Sequence, residues 1–159
     1  MNREGESGIY LVKLSGGEPR LLRSESEERF IYSINWSPDG KMISYLKSDK
    51  SFAGSGTLNV IDVDTGKSGI VGKVPWFNVH TEMAWSPDSK KIAFNDKEGK
   101  VINVMSVADG NLKELETNLV NARIFHLDWS PDGERFVFAG YQNGNPEFWL
   151  MENFLPEEK

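Results

Sequence analysis

The chain has 159 residues, a length suited to one domain, and carries 24 acidic against 18 basic side chains, a net charge of −6 dispersed along its length. That balance argues against nucleic acid or an anionic membrane as partner. The absence of cysteine excludes disulfides, thiolate metal sites and cysteine nucleophiles, the first residues lack the apolar run of a secretory signal, and no window approaches the ~20 apolar residues of a membrane span.

Taken in order, the first apolar strand is Ile9-Tyr10-Leu11-Val12, which runs into a Ser15-Gly16-Gly17 turn and a more polar strand at Pro19–Leu22. A second apolar stretch leads into Trp36-Ser37-Pro38-Asp39-Gly40, returns as Lys41-Met42-Ile43-Ser44-Tyr45, and is followed by Leu58-Asn59-Val60-Ile61, an Asp64-Thr65-Gly66 turn and a polar strand at Gly69–Val74. Between them, Ser51-Phe52-Ala53-Gly54-Ser55-Gly56 is glycine-rich and predicts a flexible inter-strand loop. The succession then recurs. Met83-Ala84-Trp85 enters Ser86-Pro87-Asp88-Ser89, Lys91-Ile92-Ala93-Phe94 returns, and Val101–Val107, Ala108-Asp109-Gly110 and Leu112–Leu115 follow. A last round holds Ile124–Trp129, the turn at Ser130-Pro131-Asp132-Gly133, Arg135–Ala139 and Glu147–Met151.

The three tryptophan motifs are 49 and 44 residues apart, and the strands beginning at Ile9, Leu58, Ile102 and Phe148 step by 49, 44 and 46. A fixed period of this length is that of a four-stranded β-propeller blade. Counting strands gives two, then four, four and three, so the expected fold is all-β: a partial propeller of about three antiparallel blades, half of a six-bladed ring, in a single domain over 1–159. Its repeats are expected at about 8–24 (partial), 30–74, 79–118 and 123–153 (partial). Two copies would supply close to the strands of one ring, so a homodimer that completes the propeller is an expected assembly.

Within each motif, Pro38, Pro87 and Pro131 pre-set the turn, and the serine and the aspartates Asp39, Asp88 and Asp132 offer oxygens to turn amides. The last turn position is Gly40 or Gly133 in two copies and Ser89 in the third, which predicts a positive φ at Ser89 and a gain of up to ~1 kcal/mol on replacing it by glycine. Trp36, Trp85 and Trp129 are expected to pack between blades, each burying on the order of 200 Å².

The three copies of Trp-Ser-Pro-Asp with the returning strands Lys-Met-Ile-Ser-Tyr, Lys-Lys-Ile-Ala-Phe and Glu-Arg-Phe-Val-Phe resemble the PD40 (WD40-like) repeat of TolB-like β-propellers, over residues 8–153. The resemblance implies a six-bladed architecture and one of three uses: a periplasmic protein-binding scaffold, the gating propeller in front of a prolyl-oligopeptidase hydrolase, or a polysaccharide lyase. It also implies a periplasmic location, although the chain carries no signal peptide, and a natural protein extending further toward the N-terminus. The ending at Trp149–Pro156 resembles the end of TolB-like chains. The expectation is a non-enzymatic scaffold for a protein or peptide, with no cofactor and no metal; a peptidase propeller or a lyase is the alternative.

Catalytic signatures are sparse. There is no Gly-x-Ser-x-Gly elbow, and Ser55 in Gly54-Ser55-Gly56 is the nearest approach. Asp62-Val63-Asp64-Thr65-Gly66 opens like a calcium loop but lacks the downstream glutamate and coincides with a repeat turn. The residues with binding chemistry fall on the strands expected to line the propeller axis. Three positions before each tryptophan stand Ser33, Glu82 and His126, and His80 and Arg123 stand five and six before theirs. His80, Glu82, Arg123 and His126 are thus expected on one rim, where they would receive a carboxylate-bearing peptide or, through two imidazoles and a carboxylate, a divalent metal. The bland counterpart is a set of polar residues lining a wet channel.

Overall fold

Alternation of apolar side chains and glycine-marked turns produces strands throughout a computed structural model, which describes residues 7–25, 30–48, 53–78, 81–96, 98–118, 122–142 and 145–152. Among them run thirteen strands in four antiparallel sheets. The first sheet pairs β1 (Ser7–Leu11) with β2 (Arg20–Glu25). The second orders β3 (Ile31–Trp36), β4 (Met42–Ser48), β5 (Ala53–Asp62) and β6 (Ser68–Asn78) as neighbours in sequence. The third does the same with β7 (Met83–Trp85), β8 (Lys91–Asn95), β9 (Val101–Ser106) and β10 (Leu112–Glu116), and the fourth with β11 (Ala122–Trp129), β12 (Arg135–Gln142) and β13 (Asn145–Glu152). The two-four-four-three count expected from the repeat is the one observed. The first strands of successive sheets adjoin, β3 with β7 and β7 with β11, as blades do around an axis.

Three apolar layers lie between the sheets. Period-2 alternation sends Ile43 and Tyr45 of β4 toward Ile9, with Ile61 beside them, while Leu46 faces the other way onto Trp85, Ile92 and Phe94. Trp129 closes the third layer over Ala84, Ala93 and Val104, its ring 4.5 Å from that of Phe136. Burial on both faces explains why β9 is nearly continuous apolar sequence.

The Trp-Ser-Pro-Asp turns share one network. Ser37 donates its hydroxyl to Asp39 at 2.6 Å and accepts the Met42 amide at 2.9 Å, while Asp39 accepts the Lys41 amide at 3.0 Å. Ser86–Asp88 and Ser130–Asp132 repeat it at 2.6 and 2.5 Å. Ser89 has φ 59°, as its glycine counterparts Gly40 (73°) and Gly133 (79°) require. Its hydroxyl is also used: it accepts the Asp39 amide of the preceding blade at 3.1 Å. Gly133 has no such group, and a cavity of about 180 Å³ opens between that turn and Ser86, Pro87 and Asp88. At Asp62 the carboxylate accepts the Thr65 amide and hydroxyl, each at 2.7 Å, so this segment is a closed turn.

Two expectations are corrected. Ala53–Gly56 is not loop but the start of β5, with Gly54 opposite Phe77 and Gly56 opposite Val74. Gly56 reflects crowding, since a Cβ there would stand 2.2 Å from the Lys47 carbonyl oxygen and 2.4 Å from the Phe77 ring. Ser51 and Phe52 lie outside the described residues. Trp36 is not an inter-blade packing residue within the chain: it is 51% exposed, against 7% for Trp85 and 6% for Trp129. Each tryptophan faces the preceding blade. By their place in the repeat β1 and β2 are third and fourth strands, so they cover Ile43, Tyr45 and Ile61 farther out on the sheet and leave Trp36, at the end of β3, bare.

Candidate functional site at the axial rim

The rim is built by the first strand of each blade. β3 and β11 each carry a register shift, between Tyr32 and Asn35 and between Phe125 and Asp128, and inside those bulges Ser33 (φ 50°) and His126 (φ 49°) hold left-handed backbone. The bulge turns these two side chains toward the next or preceding blade. Ser33 donates its hydroxyl to the Thr81 carbonyl across the first junction. Across the second, His126 Nδ1 lies 3.5 Å from Glu82 Oε1, with the two side chains 79% and 44% exposed.

Behind the pair the backbone is fixed. Asn95, buried, accepts the Glu82 amide at 3.3 Å and donates to the Ile124 carbonyl at 3.4 Å, tying the second blade to β11. The Ile124 amide donates to the Gly99 carbonyl at 3.1 Å, and a Cβ on Gly99 would fall 2.5 Å from the Ile124 nitrogen, so a turn of one blade is pressed against the strand of the next. Arg123, exposed, is the second residue of β11 and lies beside that turn.

Of the four residues expected on the rim, Glu82 and His126 are brought into contact, and Arg123 stands three residues away on the His126 strand; His80 lies outside the described residues. Among the described residues no three His, Cys, Asp or Glu side chains are grouped to hold a metal ion, and no helix is long and apolar enough to cross a membrane. Sequence reasoning passed over the bulges at Ser33 and His126, and the recurrence of polar residues at the third position before the tryptophan was their signal.

Electrostatics single out the opposite end of the strands, where the motif turns lie. The Ser130 hydroxyl, the Glu134 amide and the Arg135 guanidinium lower the Asp132 carboxyl from 3.8 to about 2. Asp39 is lowered by the Ser37 hydroxyl and the Lys41 amide. At Asp88 burial pulls upward, and the Ser86 hydroxyl and Lys90 amide outweigh it, so that carboxyl too is lowered. These carboxylates are spent on turn structure.

The ring-like order of sheets, the repeated motif turn and the rim define a partial β-propeller. No protein-family model matches the chain. Among curated proteins it is similar to WD repeat-containing protein 1-B of Xenopus laevis, 29% identical over 136 residues that make up 84% of the chain and 22% of that protein. It is also similar to the uncharacterized protein Atu1656 of Agrobacterium fabrum, 30% identical over 143 residues, 86% of the chain and 44% of the relative. Solved structures with the same fold include TolB from Acinetobacter baumannii (TM-score 0.67, 21% identity, 91% of the chain and 35% of TolB) and an oligogalacturonate lyase in complex with manganese (0.72, 17%, 93% and 41%). A prolyl endopeptidase matches with TM-score 0.61 at 18% identity, over 94% of the chain and 28% of the enzyme. The chain therefore has the fold of TolB-like and WD-repeat propellers, and spans less than half of the length of each of these proteins.

Proposed function

We propose that the chain is a non-enzymatic, TolB-like propeller scaffold that binds a protein or peptide partner at the axial rim formed by His80, Glu82, Arg123 and His126. The observation that carries the proposal is the His126–Glu82 pair: two ionisable, exposed side chains from different blades, in contact, with His126 held in a bulge on the left-handed backbone that functional positions often show. The arrangement suits a peptide with a free carboxylate. Arg123 offers a planar fork of donors for that group, and Glu82 can accept amide or ammonium protons from the same segment. The carboxylates of the motif turns are already committed to hydrogen bonds within their turns, whereas the paired rim side chains remain open to solvent.

The test is calorimetric titration with peptides selected from a random library displayed with free C-termini. Arg123→Ala and His126→Asn should each weaken binding about tenfold, the loss of one charge-assisted contact of roughly 1.4 kcal/mol, and amidating the peptide terminus should do the same. Equal binding of amidated and free peptides, or indifference to both substitutions, would reject the reading. The enzymatic alternative, drawn from the lyase and endopeptidase that share the fold, would be favoured by product release from oligogalacturonate or a proline-containing peptide. The proposed scaffold also forms a homodimer, because the blades at the two ends of the array have uncovered faces.

A further inference from the structure

The two end faces of the array are uncovered at the repeat positions that are buried everywhere between them. On the side of the first full blade, Trp36 and Ile34 are half exposed, while Trp85 and Trp129 are covered. On the far side of the last blade, Val137 and Leu150 are 44% and 60% exposed and sit opposite each other on β12 and β13. Val137 follows its tryptophan by eight residues, as Ala93 and Ser44 follow theirs, and both of those are fully buried. Leu150 stands at the repeat position of Val104, also buried.

The partner of each tryptophan can be read from the intact junction. Trp129 packs on Ala93 and Val104 of the blade before it. The residues in those two places on the last blade are Val137 and Leu150. We propose that Trp36 of one copy docks on the Val137–Leu150 face of a second copy, head to tail. This rests on the assembly reading above and names its surfaces. A second copy is the occupant favoured because one chain carries both halves of the contact in the register of its own internal junctions. The patch is also continuous with the face of β4 that carries Ile43, opposite Trp36, which β1 covers in the single chain and β13 of the second copy covers in the ring. A two-fold ring makes both junctions alike, each with one Trp36 and one Val137.

Such a junction has one strand too many, since β1 and β13 hold the same repeat position, Leu11 corresponding to Leu150. β13 is paired to β12 along all eight of its residues, whereas β1 is paired to β2 over five with a register shift between Ile9 and Tyr10. β13 therefore keeps its place and β1 yields, leaving β2 free to pair with the outer edge of β13.

Light scattering on the full chain at micromolar concentration tests this. The wild type should show twice the 17.9 kDa of one chain. Trp36→Lys and Val137→Asp, at opposite ends of the array and both on exposed sites, should each fall to the mass of one chain with unchanged circular dichroism. Mixed in equal amounts they should regain the dimer, because one junction is then native and the other pairs Lys with Asp. A monomeric wild type would overturn the proposal together with the assembly reading. A dimer that neither substitution disturbs, or a mixture that stays monomeric while the wild type dimerises, would leave assembly standing and reject these two faces.

Discussion

Ser89 shows how one hydroxyl can offset backbone strain. Its φ of 59° costs a side-chain-bearing residue about 1 kcal/mol relative to glycine, and the sequence alone therefore predicts that glycine stabilises. The bond that Ser89 accepts from the Asp39 amide is partly buried and worth a similar amount. The expected result is that Ser89→Gly shifts stability by less than ~1 kcal/mol, whereas Ser89→Ala, which keeps the strain and loses the bond, destabilises by about 1 kcal/mol; urea melts of the three chains would show a ranking with alanine lowest. The motif aspartates act at the same scale. Asp132, held at about 2 against 3.8 when unfolded, contributes stability that is complete above 3.8 and is lost as pH falls from there through 2, and Asp39 and Asp88 act in the same direction. Denaturation midpoints should drop over that window, and Asp132→Asn should flatten the dependence.

A strand derives its stability from what the next blade lays on it. Trp85, 7% exposed in the layer with Leu46 and Phe94, should cost about 3–5 kcal/mol when replaced by alanine, through lost burial and a cavity. Trp36, with the same motif around it but half exposed, should cost about 1 kcal/mol or less in the monomer. Chemical denaturation of the two variants separates the cases, and equal losses would mean that Trp36 is covered within one chain. The contrast also shows the reach of a sequence motif. Trp-Ser-Pro-Asp specifies the turn and the side of the sheet that the indole occupies, because both follow from local hydrogen bonds and alternation; whether the indole is buried depends on strands from another blade. β5 shows the reverse: Gly54-Ser55-Gly56 has the composition of a loop, yet it pairs as strand with its neighbours, and Gly56 is glycine because the Lys47 carbonyl and Phe77 ring leave no room for a side chain there.

For the whole molecule, rim and core should separate experimentally. His126→Asn with Arg123→Ala should leave the melting temperature within a few degrees of wild type, since both side chains are exposed and asparagine tolerates left-handed backbone, while the proposed peptide affinity is lost. Thermal melts beside binding titrations check this, and a double variant that fails to fold would place the rim among the structural residues.

The sequence by itself determined the repeat period, the thirteen strands in groups of two, four, four and three, the turn chemistry and the left-handed Ser89, because each arises from interactions within a few residues and from period-2 alternation. Only the tertiary structure decided that Glu82 meets His126, that Ser33 and His126 sit in bulges, that Ser89 bonds to Asp39, and that Trp36 stands uncovered. The contacts and the exposure depend on how one blade is set against the next, between residues some fifty apart in the chain, and the bulges on how the first strand of a blade pairs with its second.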